Sequence, residues 1–580
     1  MRGSPLVASP DVCMKNSTIG LCNPNLFVLL HEEVAATGLP NYRGRRIPVI
    51  TNLHLDTWDD MLIGYHDNVV CEYLQYGWPV NYDYVTYGFP TTDSRTHRGA
   101  LNYPVAVSEY IRDERSAGAI SGPFRTVPFS TGRMALSPLN SVPKGDSQER
   151  RIILDLSWPP GSSVNEGISC DEYDGQLFHL RYPTVDDISE LIVKHGVGCF
   201  LFKHDLRWAY RQFPVDPLDY PLLGYLWKEL LYFDTVLPMG LRSSAMACQH
   251  ITSAVCYICE QSGYAVLNYL DDFMGVAPQE QAWTAYHFLG ELLSQLGLRE
   301  SITKAVAPST VVTCLGVQFD TVNMTMSVAP FRLAEIISLL ASWRLRKSCT
   351  KSALQSLVGK LMFVAKCVRQ SRIFVSRILD LLRSIKSSTH HVRLTSAFRK
   401  DIHWWQIFLP RYNGISIIPH TPWSAPDAVF ATDACLSGCG GVSSTEYFHS
   451  VFPSFVSTVC TAIHHLELLV VMVAVRLWGH HWQGRRIQLF CDNEAVVSVI
   501  NTGRTRDPVL ATCLREIWLQ AAQGEFELRA VHLSSQANRT ADFLSRWHIS
   551  DHYRFTLLRE GSLSHLTCVH LPDDKFDDSL

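Results

Sequence analysis

The sequence has little charge and no long apolar run. Only 18% of its 580 residues are Asp, Glu, Lys or Arg, and the formal net charge is −4, which excludes a globally basic nucleic-acid coat. The longest apolar run in the second half, LELLVVMVAVRLW, is shorter than a bilayer span and carries Glu467 near its start, which argues against a membrane protein. The opening segment MRGSPLVASPDVCMKNS lacks an apolar signal core, and the 17 cysteines lack the rhythm of a disulfide scaffold. A reducing intracellular setting is therefore expected, cytoplasmic or nuclear, with no basic import signal to decide between them. The one C-x-x-C, CYIC at Cys256 and Cys259, has no second metal-binding pair and reads as core. Internal repeats and long polar tracts are also absent, so an ordinary globular chain of several domains is expected.

What charge there is falls unevenly. Residues 344–400 hold fourteen Lys or Arg and a single acid, Asp380. The stretch SLVGKLMFVAKCVRQSRIFVSRILDLLRSI within it reads as amphipathic helices with a basic face. One sign over so long a stretch favours contact with a polyanion over a merely solvated face. Before it, residues 106–320 alternate strand-like and helix-like segments. Among them QEQAWTAYHFLGELLSQLG predicts a helix with Trp283, Tyr286, Leu289, Leu292, Leu293 and Leu296 on one side and Gly297 as its stop. Residues 411–427 are rich in Pro and Gly and read as a linker. From 428 to 547 the order of strands and helices suits a compact α/β domain. Residues 1–105 and the tail 548–580 carry no chemical motif.

The segment NYLDDFMG, residues 268–275, sets Asp271 and Asp272 side by side between two runs that read as strands. An isolated Asp-Asp is ordinarily a solvated hairpin tip. The alternative is a divalent-metal site, because phosphoryl transfer needs Mg²⁺ held by carboxylates. A third acid should then lie at another strand end. CFLFKHDLRWAYRQFPV offers one: an apolar strand over 200–202 runs into Asp205, and Tyr210 follows.

This ordered layout resembles the reverse transcriptases. The resemblance implies an α/β and α+β multidomain chain, a right-hand polymerase (fingers, palm, thumb) followed by a helical connection and a ribonuclease H-like α/β domain. It maps fingers and palm to 106–320, and thumb or connection to 321–410. It implies Asp205 and Asp271 as ligands of two Mg²⁺ ions (Mn²⁺ being the alternative), with Asp272 in support. Tyr210 matches the sugar gate, where a ring leaves no room for a 2′-hydroxyl. LNSVPKGDSQERRIILDLS resembles the fingers hairpin that places Lys144 and Arg151 on the triphosphate, with Arg150 as the neighbouring alternative. TVLPMGLRSSAMACQ resembles the segment beneath template–primer and incoming base, which implicates Gly240 and Gln249. Its Met239 departs from the Gln or Phe usual in the family and puts details of nucleotide handling in doubt. Lys304 resembles the lysine that protonates pyrophosphate, a plain surface lysine being the equal alternative. TCLGVQFD resembles the primer grip around Leu315 and Gly316.

A second set of acids follows. AVFATDACLSGCGG ends a strand at Asp433, HHLELLVVMVAVRLW opens a helix at Glu467, RIQLFCDNEA ends a strand at Asp492, and HLSSQANRTADFLSR places Asp542 at a helix start. The order Asp, Glu, Asp, Asp resembles the ribonuclease H site of retroelements, and implies two further Mg²⁺ ions held by these four residues. His532 and Asn538 stand where retroviral ribonuclease H domains have them, and a mobile His could move protons there.

The resemblance covers roughly residues 106–547. It implies an RNA template, a DNA primer, deoxynucleoside triphosphates and an RNA–DNA hybrid as partners. GPFRTVPFSTGRMALSPLNSVPKGDSQERRIILDLSWPPGSSVNEG and HLSSQANRTADFLSRW look like DIRS-like or Ngaro-like retrotransposons, with a gypsy-like origin as the near alternative. No Asp-Thr-Gly protease loop or zinc-bearing integrase head is seen; the first two elements use a tyrosine recombinase, and since none is visible here it would be encoded separately or be lost. The competing reading is a decayed or domesticated copy that binds hybrids without catalysis.

Overall fold

The computed structural model describes residues 23–36, 48–93, 95–143, 149–173, 175–177, 180–367, 369–385, 391–411, 416–417, 426–524 and 526–576. The chain is a mixed α/β multidomain protein. It divides into two compact units, Met1–Val312 with Thr321–Asn323, and Thr313–Asp320 with Met324–Leu580. No described helix is long and apolar enough to cross a membrane.

The first unit is organised around a four-stranded antiparallel sheet in the order Val306–Ser309, Phe200–Asp205, Asp272–Ala277, Ala265–Tyr269. The central strand Asp272–Ala277 is apolar after its first residue, and Phe200–Asp205 is apolar over its first three, as strands covered on both faces tend to be. Gly275 is required where it stands, because a Cβ there would lie 2.0 Å from the Phe202 ring. Helices Val185–His195, Ser244–Gln261 and Gln279–Gln295 pack against these strands. The last of them buries Leu289, Leu292, Leu293 and the following Leu296, and Gly297 (φ +77°) ends it, as the pattern predicts. Trp283 departs from the prediction: it is 52% exposed, and Ala282 and Ala285 supply the buried face in its place. Cys256 and Cys259 lie on Ser244–Gln261, half-buried and buried, in the core.

Residues without a motif near the N-terminus belong to this unit's core. Trp58 is fully buried and donates its Nε1 hydrogen to the Leu296 carbonyl (3.0 Å), and Val80 N donates to Asp219 Oδ2 (2.7 Å). The hairpin Leu139–Pro143/Arg150–Leu154 forms in the register Leu139↔Leu154 to Pro143↔Arg150. Its tip, with Lys144, lies outside the described residues.

The second unit contains a six-stranded sheet in the order Glu527–His532, Arg486–Cys491, Ala428–Ala434, Gly438–Ser443, Glu446–Val451, Thr567–Cys568. The first three strands are parallel, the fourth runs antiparallel to both of its neighbours, and the fifth and sixth pair in parallel. The sixth comes from the tail, which the sequence left blank. Helix Ile463–Trp478 is buried along almost its whole length, which explains why it is apolar all round. The basic stretch forms helices Lys351–Cys367, Ser376–Ser384 and Ser396–Arg411. Part of its charge is internal: Arg377 and Arg515 both meet Asp401, which has no solvent exposure. Burial pushes that carboxyl up to about 7 against the pull of the two arginines. The predicted linker 411–427 falls largely outside the described residues.

Candidate active sites

In the first unit, Asp272 pairs with Asp205 across the antiparallel ladder and with Tyr269 within the hairpin. Leu270 takes the left-handed conformation (φ +55°), and Asp271 follows it in the turn. The Asp271 carbonyl accepts a hydrogen bond from Leu206 N at 2.9 Å, so the turn is tied to the end of the Asp205 strand. Asp205 thus meets the Asp271–Asp272 pair, distant in sequence, at one end of the two central strands.

Their electrostatics are those of crowded carboxylates, Asp205 buried and Asp271 and Asp272 half-buried. Burial pushes Asp205 up to about 6; hydrogen bonds from Lys304 oppose this, while Asp272 and Asp271 add to it. Burial also raises Asp271, with Asp272 adding and Lys304 and Arg151 opposing. Lys304 Nζ donates to both Asp205 oxygens, at 2.8 and 3.1 Å. Burial works against the lysine charge, yet the three carboxylates hold its pKa above the ordinary range. Lys203 stands 3.7 Å from Asp272. The sequence pointed to Lys304 but not to Lys203, whose only signal is its place two residues before Asp205 on the same strand face.

Tyr210, Arg151 and Gln249 are tied to these strand ends. Tyr210 sits on the short helix Ala209–Gln212, half-buried; burial, Cys248 and Asp271 push its phenol up to about 12, and Arg151 opposes. Arg151 is exposed and its charge acts on both Asp271 and Tyr210. Arg150 is spoken for: it donates to Ser141 Oγ (2.8 Å) and the Ser141 carbonyl (2.6 Å) and stacks on Tyr103. Arg150 is thus engaged within its own hairpin, whereas Arg151 is exposed. Gln249 is buried, donates to the Asn268 carbonyl (3.1 Å) and accepts from Leu270 N (2.9 Å), so it braces the aspartate turn. Gly240 has φ +111°, and a Cβ on it would lie 2.3 Å from the Leu154 carbonyl oxygen. The close approach it permits is to the chain's own strand Arg150–Leu154. Leu315 and Gly316 both have positive φ, forming the tight turn between Val311–Cys314 and Val317–Asp320.

In the second unit, Ala431 pairs with Phe490 on adjacent parallel strands. Asp433 and Asp492 each follow two residues later, so both acids emerge at the same strand ends. Glu467, on the first turns of helix Ile463–Trp478, accepts from Ala434 N (3.3 Å) through Oε1; its buried Oε2 has no hydrogen-bond partner. Asp433 accepts from Ser545 Oγ and Asp492 from Ser535 Oγ, both at 2.6 Å. Asp542 pairs with Arg546 at 2.7 Å. His532 Nε2 lies 3.2 Å from the Asp492 carbonyl oxygen. Asn538 is buried and donates to the Thr432 carbonyl (3.0 Å), so it anchors the start of helix Arg539–Ser545 beneath Asp433. Ser535, Ser545 and Arg546 were not singled out from sequence; serines and arginines around an acidic motif carry no signal by themselves.

Burial pushes Glu467 up to about 9, with Asp433, Asp492 and Asp542 adding, and pushes Asp433 up to about 7, with Asp492 and Asp542 adding and Ser545 opposing. Asp542 is raised by burial and Asp492, against Arg546. Four mutually repelling carboxyls, one with an orphaned oxygen, fit a group of positive charge. An all-oxygen donor set suits Mg²⁺ at both sites. Cys491 Sγ also lies within reach of Glu467 and Asp492, but a buried thiol whose pKa is pushed up is a poor ligand for so hard an ion.

No family model and no curated protein matches the chain. Among solved structures it is similar to the foamy viral protease-reverse transcriptase in complex with dsDNA. That superposition has a TM-score of 0.47 at 13% identity, covering 84% of this chain and 98% of that chain. The foamy viral protease-reverse transcriptase in complex with an RNA/DNA hybrid gives 0.43 at 14% identity, covering 85% and 65%. At such scores the functional assignment rests on the chain's own residues.

Proposed function

We propose that this chain is an RNA-directed DNA polymerase with ribonuclease H activity, of retrotransposon origin in the DIRS-like or Ngaro-like manner. The single observation that carries the reading is the meeting of Asp205, Asp271 and Asp272 at one end of the central strands, beside Lys304 and Arg151. A polymerase needs carboxylates for its metal ions and cations for a triphosphate, and this end of the strands has both.

In this reading, residues 106–320 form fingers and palm, 321–410 thumb and connection, and 428–547 the ribonuclease H domain. Asp205 and Asp271 would hold two Mg²⁺ ions, with Asp272 in support; Asp433, Glu467, Asp492 and Asp542 would hold two more. Bound there, the ions would polarise phosphoryl oxygens and ease deprotonation of the attacking hydroxyl or water.

The chain's own groups do the rest. Arg151, with Lys144 from the hairpin tip, binds the triphosphate. Tyr210 lies beneath the incoming sugar and excludes a 2′-hydroxyl. Lys304 holds a proton that it gives to the departing pyrophosphate. Gln249 keeps the aspartate turn in place. At the second site, Ser545 and Ser535 fix the rotamers of Asp433 and Asp492, and His532 moves a proton at the rim. The basic helices of 344–400 hold the hybrid by its backbone, without sequence choice. The template is RNA, the primer DNA, and a separately encoded recombinase would complete the element.

The test is direct. With Mg²⁺, the purified chain extends a DNA primer on an RNA template and shortens the RNA of the resulting hybrid. A chain that binds hybrid tightly but extends nothing is a domesticated binder instead.

A further inference from the structure

Trp208 is an exposed tryptophan in a backbone conformation that bulky residues avoid. Its φ is +64°, in the left-handed region, and 40% of its surface faces solvent. It fills no core, so packing does not account for the strain; such outliers persist where the surroundings hold them for a purpose. Arg207 places its guanidinium carbon 4.1 Å from the indole centroid and Arg299 places its own at 5.8 Å. Both arginines are exposed, and neither has a carboxylate partner among the described residues.

The cluster is built rather than accidental. Arg207 N donates to the Arg299 carbonyl (2.8 Å), and Arg211 N donates to the Trp208 carbonyl (3.1 Å). Gln212 donates to the carbonyls of Arg207 (2.8 Å) and Arg299 (3.0 Å) and accepts from Arg299 N (2.6 Å). A cavity opens beside the indole, lined by Trp208, Gln212, Arg299, Asn52 and Thr235. The same chain segment reaches the carboxylates, since Ser301 N donates to the Asp205 carbonyl at 2.7 Å.

Two guanidiniums held around one ring repel each other unless an anion joins them. An exposed π-face offers stacking to any base, and arginine suits phosphate oxygens. We propose that Trp208, Arg207 and Arg299 form a nucleotide-binding platform beside Asp205, the indole stacking a nucleobase and the arginines taking its phosphates. This site is separate from the triphosphate contacts assigned to Arg151 and Lys144, and it rests on the polymerase reading only for the class of ligand. The nucleotide comes either free or as part of a single strand.

The experiment measures binding to the full chain in EDTA, which silences metal-dependent sites. One arm uses a fluorescent nucleoside triphosphate without nucleic acid, the other a labelled single-stranded oligonucleotide. Trp208→Ala weakens at least one ligand about tenfold, Arg207→Gln/Arg299→Gln does so with a shallower salt dependence, and Trp208→Phe restores most of the affinity. Loss in the first arm assigns a free nucleotide, and loss in the second a strand. Equal affinities across all variants in both arms overturn the proposal, as does a Phe variant as weak as the Ala variant. Primer extension by the wild type separates the two readings. Extension with unchanged binding removes the platform alone, whereas lost binding without extension removes the polymerase reading and leaves the platform.

Discussion

Asp205 and Asp272 are direct partners across an antiparallel ladder, and Asp272 adds to the burial that raises the Asp205 carboxyl. Like charges opposed across a sheet are destabilising. A slip of one residue in the strand Asp272–Ala277 would turn its side chains to the other face, so the register that opposes the acids is specified by the apolar residues that follow them. In the proposed function the arrangement is a cation site, with Lys304 and Lys203 beside it.

Tyr210 lies at the sugar end of that site in the proposed mechanism. Tyr210→Ala should lower discrimination against ribonucleotides by about tenfold or more, the scale of one lost steric contact. Competing incorporation of ribo- and deoxynucleotides measures it. Unchanged selectivity would clear Tyr210 of the gate role.

The second carboxylate site should be separable from the first. Asp433→Asn is expected to stop cleavage of the RNA in a hybrid while leaving extension within about twofold of wild type, as for independent sites. Gel assays of both activities on one preparation check this. Joint loss of both would mean that the two sites are one.

The acids of the second site make stability depend on pH. Glu467 is pushed up to about 9 and Asp433 to about 7, so the folded chain binds more protons than the unfolded one above the ordinary carboxyl range of about 4. Stability is therefore lost as pH rises through that window. Melting in EDTA should show Tm falling from about pH 5 to about pH 9, with Glu467→Gln flattening the fall. Mg²⁺ should raise the wild-type Tm most at the alkaline end. A Tm independent of pH would contradict the crowding.

Gly240 is expected to matter for folding before it matters for chemistry. Gly240→Ala sets a Cβ 2.3 Å from the Leu154 carbonyl oxygen at φ +111°, a combination expected to cost about 2 kcal/mol or more. Urea unfolding of the variant measures it. A midpoint equal to wild type would show that the loop relaxes freely.

Much of this was legible in the sequence because strand ends and paired acids announce themselves locally. Asp205, Asp271, Asp433 and Asp492 each close an apolar run, and Glu467 interrupts one. Pairing partners are another matter. Nothing near Ser545 or Ser535 says that each will hold an aspartate, since that depends on how a helix or loop docks on a sheet. Asn538 and Gln249 were matched by position to substrate-facing roles, yet both are buried and hold backbone in place. Trp283 misled in the opposite direction: a large ring at a core-like spacing lies at the rim, and two alanines let the helix approach the sheet. The sixth strand, Thr567–Cys568, is too short and polar for any pattern to reveal, and only the sheet edge that it joins makes it a strand.

The most direct measurement is primer extension on an RNA template with Mg²⁺, comparing wild type with Asp271→Asn. Extension by the wild type and none by the variant is the predicted result. Equal extension by both would show that the aspartate turn plays no part in catalysis, and the polymerase reading would fall.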